Sequence, residues 1–459
     1  MNRKMKHLKL LFLLLVLSSN SIFAQQVNYS QALSDLISTK KWFEIENYYQ
    51  QHKDSIDSKF VRLWYLAETG NAFNRRYEAI DAYEKLIDTN PLNMDTPTLI
   101  SLFGQPLGQL YADVQEYAKG EEVCRKLIAI IEKDTILNSD VRLSYIQGFT
   151  QAIESFKQFP KTYPKLTITK SEVDTTGEIK LIPMSRNDIL FNAKWNGIKL
   201  LTLFDTGCGG GGYIYNRAIA EKIGVKFNTT DTIMMNNGNI RCMTGVVDSL
   251  ELGKFIIRNV PVYVNIETID PADSDQVKCD SVLNSAFDIV LGIPVIRQLG
   301  IIDFDFAKNT MSFSQKIKTN DIPNLYIDKQ VLYMNMKICN SNFLAQFDTG
   351  GDALSINADF YEKHKQCIFI ETQATQSRGA WGGCNEASLR HGYAYNCPQI
   401  DININDQEIT MINDCSVGKY KENVDIQDTI KYGLIGNAIF KYYKKATFDF
   451  VNMVFSVGN

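Results

Sequence analysis

The sequence predicts a multidomain α + β chain in which a helical N-terminal region precedes two similar all-β lobes in tandem. Three observations predict it. From about residue 28 to 158 apolar residues recur at three- and four-residue spacing, the signature of amphipathic helices. Beyond residue 181, short runs rich in Ile, Val, Phe and Tyr are separated by Gly, Asn and Asp, as strands and turns require. Within that β-rich half, the chain repeats itself.

The N-terminus comes first in order. A basic start containing Arg3, Lys4, Lys6 and Lys9 leads into an apolar run from Leu10 to Leu17, and a small residue, Ala24, precedes Gln25-Gln26. This is the layout of a signal peptide over 1–24, so the chain is expected to be exported, to the periplasm or beyond the cell. The run is far shorter than the roughly 20 residues that cross a hydrocarbon layer, and no other stretch is long enough, so no membrane span is expected. Loss of those four basic residues moves the formal charge from -4 to -8. A mildly acidic protein offers no basic face for nucleic acid.

Residues 28–158 hold two sets of small and large residues at hairpin spacing. Leu66, Ala67, Ala79, Tyr83, Leu86 and Pro91 form one; Leu107, Gly108, Tyr111, Gly120, Cys124 and Leu127 form the other. Both resemble tetratricopeptide helical hairpins, in which small residues let paired helices touch. A plain helical bundle is the competing reading. This region is expected either to dock a protein partner or to act as a pro-segment. Residues 159–181, with Pro160, Pro164 and several threonines, break the helical pattern as a linker or a first strand.

The repeat decides the β-rich half. Residues 188–207, DILFNAKWNGIKLLTLFDTG, align without a gap on 331–350, VLYMNMKICNSNFLAQFDTG. Further on, GIPVIRQLGIIDFDF from Gly292 matches GNAIFKYYKKATFDF from Gly436. Two lobes, 182–320 and 321–459, follow from this offset.

Each copy carries Asp-Thr-Gly at the end of an apolar strand: Asp205-Thr206-Gly207 and Asp348-Thr349-Gly350. One such tripeptide arises by chance in roughly one chain in ten of this length. Two, at matched places in a duplication, do not. Two carboxyls held about 3 Å apart cannot both ionise, so they share a proton and work as an acid and base pair on a water. No metal, cofactor or covalent intermediate is needed. Gly207 and Gly350 allow tight loops, and Thr206 and Thr349 carry short hydroxyls placed to hydrogen-bond across a lobe interface.

On these residues the chain resembles the retropepsin-like and pepsin-like aspartic peptidases over roughly 182–459. Their second signature, two hydrophobic residues and a glycine, stands here as Val290-Leu291-Gly292 and Leu434-Ile435-Gly436, at matched distances after each aspartate. The resemblance implies a bilobal acid-protease fold with pseudo-twofold symmetry. It further implies an aspartic endopeptidase with Asp205 and Asp348 as catalytic residues, acting on a peptide or protein bound as an extended strand. It also implies a hairpin flap. Asn237 and Gly238 stand at that distance in the first lobe, Trp381 and Gly382 in the second, and a plain surface turn is the alternative at both. The chain departs from the family just after the glycines, at Cys208 and Gly351, where a Ser, Thr or Ala is usual. An inactive relative that binds peptides without cutting them is therefore the alternative function. Cys208 is a candidate partner for Cys242.

Other chemistries have little to draw on. Four histidines occur, His7, His52, His364 and His391, too few for a His-rich metal site or a Ser/His/Asp engine. The nine cysteines include no Cys-x-x-Cys pair, and an odd number leaves at least one outside any intrachain disulfide. Gly207, Gly209 and Gly212 satisfy Gly-x-Gly-x-x-Gly, but the second lobe shows this to be a loop insertion rather than a dinucleotide site. Asp303, Asp305 and Asp449 read as the wet faces of strands, and Tyr442-Tyr443 as a helical turn near the lobe interface.

Overall fold

The apolar spacing of the N-terminal region folds into antiparallel helices in the computed structural model, which describes residues 28–170, 177–183, 188–235, 240–314, 321–380, 382–385, 389–419 and 433–458. The expected signal peptide lies outside these residues. The helices are α1 (Tyr29–Thr39), α2 (Trp42–His52), α3 (Lys59–Ala72) and α4 (Arg76–Thr89). Then α5 (Thr96–Leu99) runs through a π-helical turn into α6 (Gln105–Asp113), followed by α7 (Tyr117–Lys133) and α8 (Ser139–Thr162). Asn28, Ser58, Asp95 and Asn138 cap α1, α3, α5 and α8 with side-chain oxygens that accept from first-turn N–H groups.

Small residues set how closely these helices pack. A Cβ on Gly70 would stand 3.1 Å from that of Ala79, which brings α3 and α4 into contact. At Gly120 it would overlap the Phe156 ring at 2.5 Å, so α7 and α8 touch only because no side chain intervenes.

The β half divides into two sheets of the same plan joined by a third. First come β1 (Thr167–Lys170), β2 (Ile179–Lys180), β3 (Leu190–Trp195), β4 (Ile198–Asp205), β5 (Gly212–Ile214) and, after α9 (Arg217–Lys222), β6 (Lys226–Met235). There follow β7 (Ile240–Leu252), β8 (Phe255–Asn265), α10 (Ser274–Ala286), β9 (Ile289–Gly292), α11 (Ile293–Ile296), β10 (Ile301–Asp305) and β11 (Thr310–Ser314). The second half holds β12 (Leu325–Asp328), β13 (Val331–Ile338), β14 (Ser341–Phe347), β15 (Leu354–Asn357), α12 (Ala358–His364), β16 (Ala374–Ala380) and β17 (Leu389–Ile404). It ends with β18 (Gln407–Lys419), β19 (Gly433–Ile435), a 3-10 turn over Asn437–Tyr442, β20 (Lys445–Asp449) and β21 (Val454–Gly458).

The pairings repeat. In the first half β4 lies antiparallel to β3 and parallel to β9, β5 joins β9 to β8, and β8, β7 and β6 continue outward. In the second half β14, β13, β19, β15, β18, β17 and β16 make the same connections in the same senses. Between them, β10 and β20 pair antiparallel in register Ile302↔Phe448 and Phe304↔Ala446, and with β2, β11 and β21 form one five-stranded sheet. The alternating Asp-Phe runs thus meet each other. Phe304 and Phe448 point into the core, while Asp303 accepts from the Thr447 hydroxyl at 2.7 Å.

Residues 159–181, expected as a linker or a first strand, contribute more than a connection. They contain the end of α8 together with β1 and β2, which pair with β8 and β11. The first sheet therefore begins before residue 182, because such short Thr-rich strands carry too few residues to show a period.

The helical region is seated on the lobes. Leu33, Trp42, Ile45, Tyr65 and Phe73 belong to the same apolar cluster as Phe204, Ile302 and Tyr326, and the Phe43 ring meets that of Tyr326 edge-on at 5.4 Å. Asn74, in a left-handed conformation, donates to the carbonyls of Arg297 and Phe450 at 3.3 and 3.0 Å. Phe43→Ala is expected to cost about 2–3 kcal/mol, toward the low end for loss of a large ring because Phe43 is only partly buried. The check is urea unfolding followed by tryptophan fluorescence and far-UV circular dichroism. Coincident transitions in the wild type and a common downward shift in the variant are the expected result.

Candidate active site

The strand β4 delivers Asp205 to the middle of the molecule because its apolar residues are held on both edges, by β3 and by β9. Its last residue lies beside Gly292. In the other half β14 ends at Phe347 beside Ile435, and the Asp348 N–H donates to the Ile435 carbonyl at 3.0 Å. Both aspartates leave a strand and enter a turn at once. The Gly207 N–H donates to Asp205 Oδ1 at 2.7 Å. Asp348 Oδ1 accepts from the N–H groups of Gly350 and Gly351 at 3.0 and 3.2 Å.

These turns face each other. A Cβ on Gly207 would stand 2.3 Å from the Asp348 carboxyl, and one on Gly350 would stand 2.6 Å from that of Asp205. Each glycine therefore keeps open the space that the opposite carboxyl fills. Beneath them the threonines interlock. Thr206 Oγ1 donates to the Phe347 carbonyl at 2.7 Å and accepts from the Thr349 N–H at 3.0 Å. Thr349 Oγ1 returns both bonds, to the Phe204 carbonyl at 2.9 Å and from the Thr206 N–H at 3.0 Å. Both side chains are fully buried.

Gly292 and Gly436 support the turns from behind. A Cβ at Gly292 would meet the Gly210 carbonyl oxygen at 2.0 Å, and one at Gly436 the Gly351 carbonyl oxygen at 2.5 Å. Backbone bonds complete the brace, from Ile293 to Cys208 at 2.9 Å and from Asn437 to Gly351 at 2.8 Å.

Burial raises the pKa of both carboxyls. Asp205 is displaced well above the usual carboxylate range, by desolvation first and then by the neighbouring Asp348 charge. Asp348 is raised as well, again by desolvation, but its bond from Asp205 and those from Gly350 and Gly351 favour its ionised form. The two carboxyls therefore titrate as one coupled pair that shares a proton.

The position after each glycine works differently from a hydroxyl. Gly351 offers its N–H to the carboxylate, whereas the Cys208 thiol points to the Gly210 carbonyl at 3.8 Å and is pushed up by burial. Cys208 and Cys242 are both buried and stand outside the disulfides, so the Cys208–Cys242 bridge does not form. The disulfides join Cys279 to Cys384 and Cys339 to Cys367 instead. Of the flap candidates, Asn237, Gly238 and Trp381 lie outside the described residues. Gly382 is described, and its carbonyl accepts from the Tyr213 hydroxyl.

Sequence reasoning missed Tyr213 and the Cys279–Cys384 pair. The cysteines were visible, but spacing carries no connectivity. Asn437, whose Nδ2 donates to Asp188 Oδ1 at 2.9 Å, is a further bond between the halves that the repeat does not foretell, since Ile293 and Val331 occupy the matching positions.

No group of three His, Cys, Asp or Glu side chains suited to a metal ion occurs among the described residues. No helix among them is long and apolar enough to cross a membrane. A cavity of about 540 Å³ lies away from the carboxyls, in the helical region, between Gly108, Cys124, Tyr145 and Phe156.

The family model described as "Aspartyl protease" matches residues 191–295. That span runs from β3 into α11 and contains both Asp205-Thr206-Gly207 and Gly292. Among solved structures, a retropepsin-like aspartic protease from Rickettsia conorii is similar at 18% identity with a TM-score of 0.22, covering 32% of this chain and 92% of that one. No curated protein matches this chain.

Two outcomes follow from the geometry. Thr206→Val preserves volume but leaves the Thr349 N–H and the Phe347 carbonyl buried without partners, at about 1–3 kcal/mol each, so a loss of about 2–6 kcal/mol is expected in denaturant unfolding. The second concerns pH. A carboxyl whose folded pKa exceeds its unfolded value near 3.9 contributes stability that is complete below that value and lost as pH rises through the folded one, about 1.4 kcal/mol per unit. Asp205→Asn, which cannot ionise, is expected to raise Tm at neutral pH, with the gain shrinking as the solution is acidified; thermal unfolding across pH 3–8 checks it.

Proposed function

We propose that this chain is an aspartic endopeptidase that hydrolyses peptide bonds with a water activated by Asp205 and Asp348. The observation that carries it is the mutual approach of the two Asp-Thr-Gly turns, each glycine lying against the other turn's carboxyl. One carboxylate of the coupled pair is the base and takes a proton from the water as that water attacks the substrate carbonyl. The other is the acid and delivers its proton to the carbonyl oxygen. As the tetrahedral intermediate collapses, the base passes its proton to the leaving nitrogen and a hydroxyl of the intermediate returns a proton to the acid, which restores the pair. Thr206, Thr349, Gly292 and Gly436 hold the geometry without touching substrate.

The remaining roles extend this reading. The two halves act as pseudo-twofold lobes with a peptide lying extended between them, in the strand-addition mode. Gly382 belongs to a flap. The helical region is a tetratricopeptide-like docking domain for a protein partner. Its shared core with the lobes argues against a removable pro-segment. Residues 1–24 direct export to the periplasm or beyond it. Nothing in the site favours a cleft that only binds.

Proteolysis of denatured protein mixtures tests the proposal. Asp205→Asn and Asp348→Asn should each abolish cleavage while the fold persists, by circular dichroism. The wild-type rate should rise with pH as the pair loses its first proton and fall as it loses its second. Cleavage that survives either substitution would overturn the assignment.

A further inference from the structure

Behind the aspartate turns the duplication is broken at Asn437. The backbone there is the same in both halves: the Asn437 N–H donates to the Gly351 carbonyl at 2.8 Å, as the Ile293 N–H does to that of Cys208 at 2.9 Å. The side chains differ. Ile293 is fully buried and apolar, whereas Asn437, 1% exposed, puts an amide in the matching place. Its Nδ2 donates to Asp188 Oδ1 at 2.9 Å and to the Thr349 carbonyl at 3.5 Å, and its Oδ1 is buried without a partner. Turning the amide over would set that oxygen against two acceptors, so its neighbours fix its orientation. A buried amide oxygen with no donor carries a cost that an isoleucine avoids, which marks the Nδ2 bonds as what an amide contributes here.

Those bonds reach the site at one peptide unit. The Thr349 carbonyl shares a peptide plane with the Gly350 N–H, and that N–H donates to Asp348 Oδ1 at 3.0 Å. A donor on the carbonyl sets the tilt of the plane and polarises the N–H at its other end. The same N–H favours the ionised form of Asp205 as well as that of Asp348, because the two turns face each other. In the first turn the Gly207 N–H has no such support from Ile293, whose side chain carries no donor. The anchor of Asn437 belongs to the other half. Asp188 directly precedes Ile189, whose carbonyl accepts from the Phe204 N–H at 2.9 Å, one residue before Asp205.

We propose that Asn437 is a positioning residue for the aspartate pair: anchored on Asp188 of the first half, its amide holds the peptide between Thr349 and Gly350 so that the Gly350 N–H is aimed at the carboxyls. This rests on the peptidase reading above and adds to it a residue that acts through that peptide and not on the substrate. Without the amide the N–H is a weaker donor, both carboxyls keep their protons to higher pH, and both limbs of the rate profile move up.

The experiment uses the full protein and linear unstructured peptides. Asn437→Leu is expected to lower kcat about tenfold, roughly the worth of one hydrogen bond, to leave KM unchanged, and to move both limbs up by about half a pH unit to one unit. Two variants at the partly exposed Asp188 carry the test if that one fails to fold. Asp188→Asn removes the charge and keeps the acceptor, whereas Asp188→Ala removes both, so the limbs of Asp188→Ala should lie above those of Asp188→Asn. Isotope labelling of the aspartate carboxyl carbons, followed by NMR against pH, reads the same displacement without substrate. A lower Tm with both limbs in place would make Asn437 a structural residue only and overturn the proposal. A raised KM at unchanged kcat would overturn it too, by placing the amide on the substrate. No cleavage by the wild type would defeat the peptidase reading, and the carboxyl titration would then decide for or against Asn437 by itself.

Discussion

The interlock of Thr206 and Thr349 is the constraint on which the rest of the site depends. Its four hydrogen bonds are made in a fully buried place, where an unpaired N–H or carbonyl would cost more than the bond contributes. The two turns therefore have one mutual position, and Asp205 and Asp348 inherit it. Glycine on both sides follows from that closeness, because any Cβ at Gly207 or Gly350 would occupy the opposite carboxyl.

That same closeness sets the chemistry against the stability of the fold. Two buried carboxyls raise each other's cost of ionisation, and the turn N–H groups relieve only part of it. That relief reaches both carboxyls, since the N–H groups of Gly207 and Gly350 favour ionised Asp205 as well, but the turns differ in detail. Asp348 accepts from Gly350 and Gly351, while in the first turn Cys208 turns its thiol away, and this breaks the equivalence of two otherwise matched sequences. A strained electrostatic pair is tolerable only in a scaffold braced elsewhere, here by Gly292, Gly436 and the five-stranded sheet between the halves.

Much of this was legible in the sequence because duplication turns weak local signals into a comparison. Gly292 and Gly436 stood out by their matched distances from the aspartates, and the Gly207-Gly209-Gly212 run could be set aside because its counterpart lacks it. The helical region was visible in its apolar spacing, and Ala67, Ala79, Gly120 and Cys124 are all buried within it. Other features left no trace. The strand Thr167–Lys170 is too short to show a period, and Asp303 and Asp449 read as wet strand faces without any sign that β10 and β20 pair with each other.

By itself, the sequence determined the tandem β halves, the helical region ahead of them, and the residue types at the centre: two Asp-Thr-Gly turns with a supporting glycine each. These are written in periodicity and repetition, which are properties of neighbouring positions. Only the tertiary structure decided that Cys279 reaches Cys384 rather than Cys208 reaching Cys242, that Tyr213 holds Gly382, and that burial raises both carboxyls. Each of these depends on distance and burial between groups far apart along the chain, and those quantities exist only once the two halves have closed on each other.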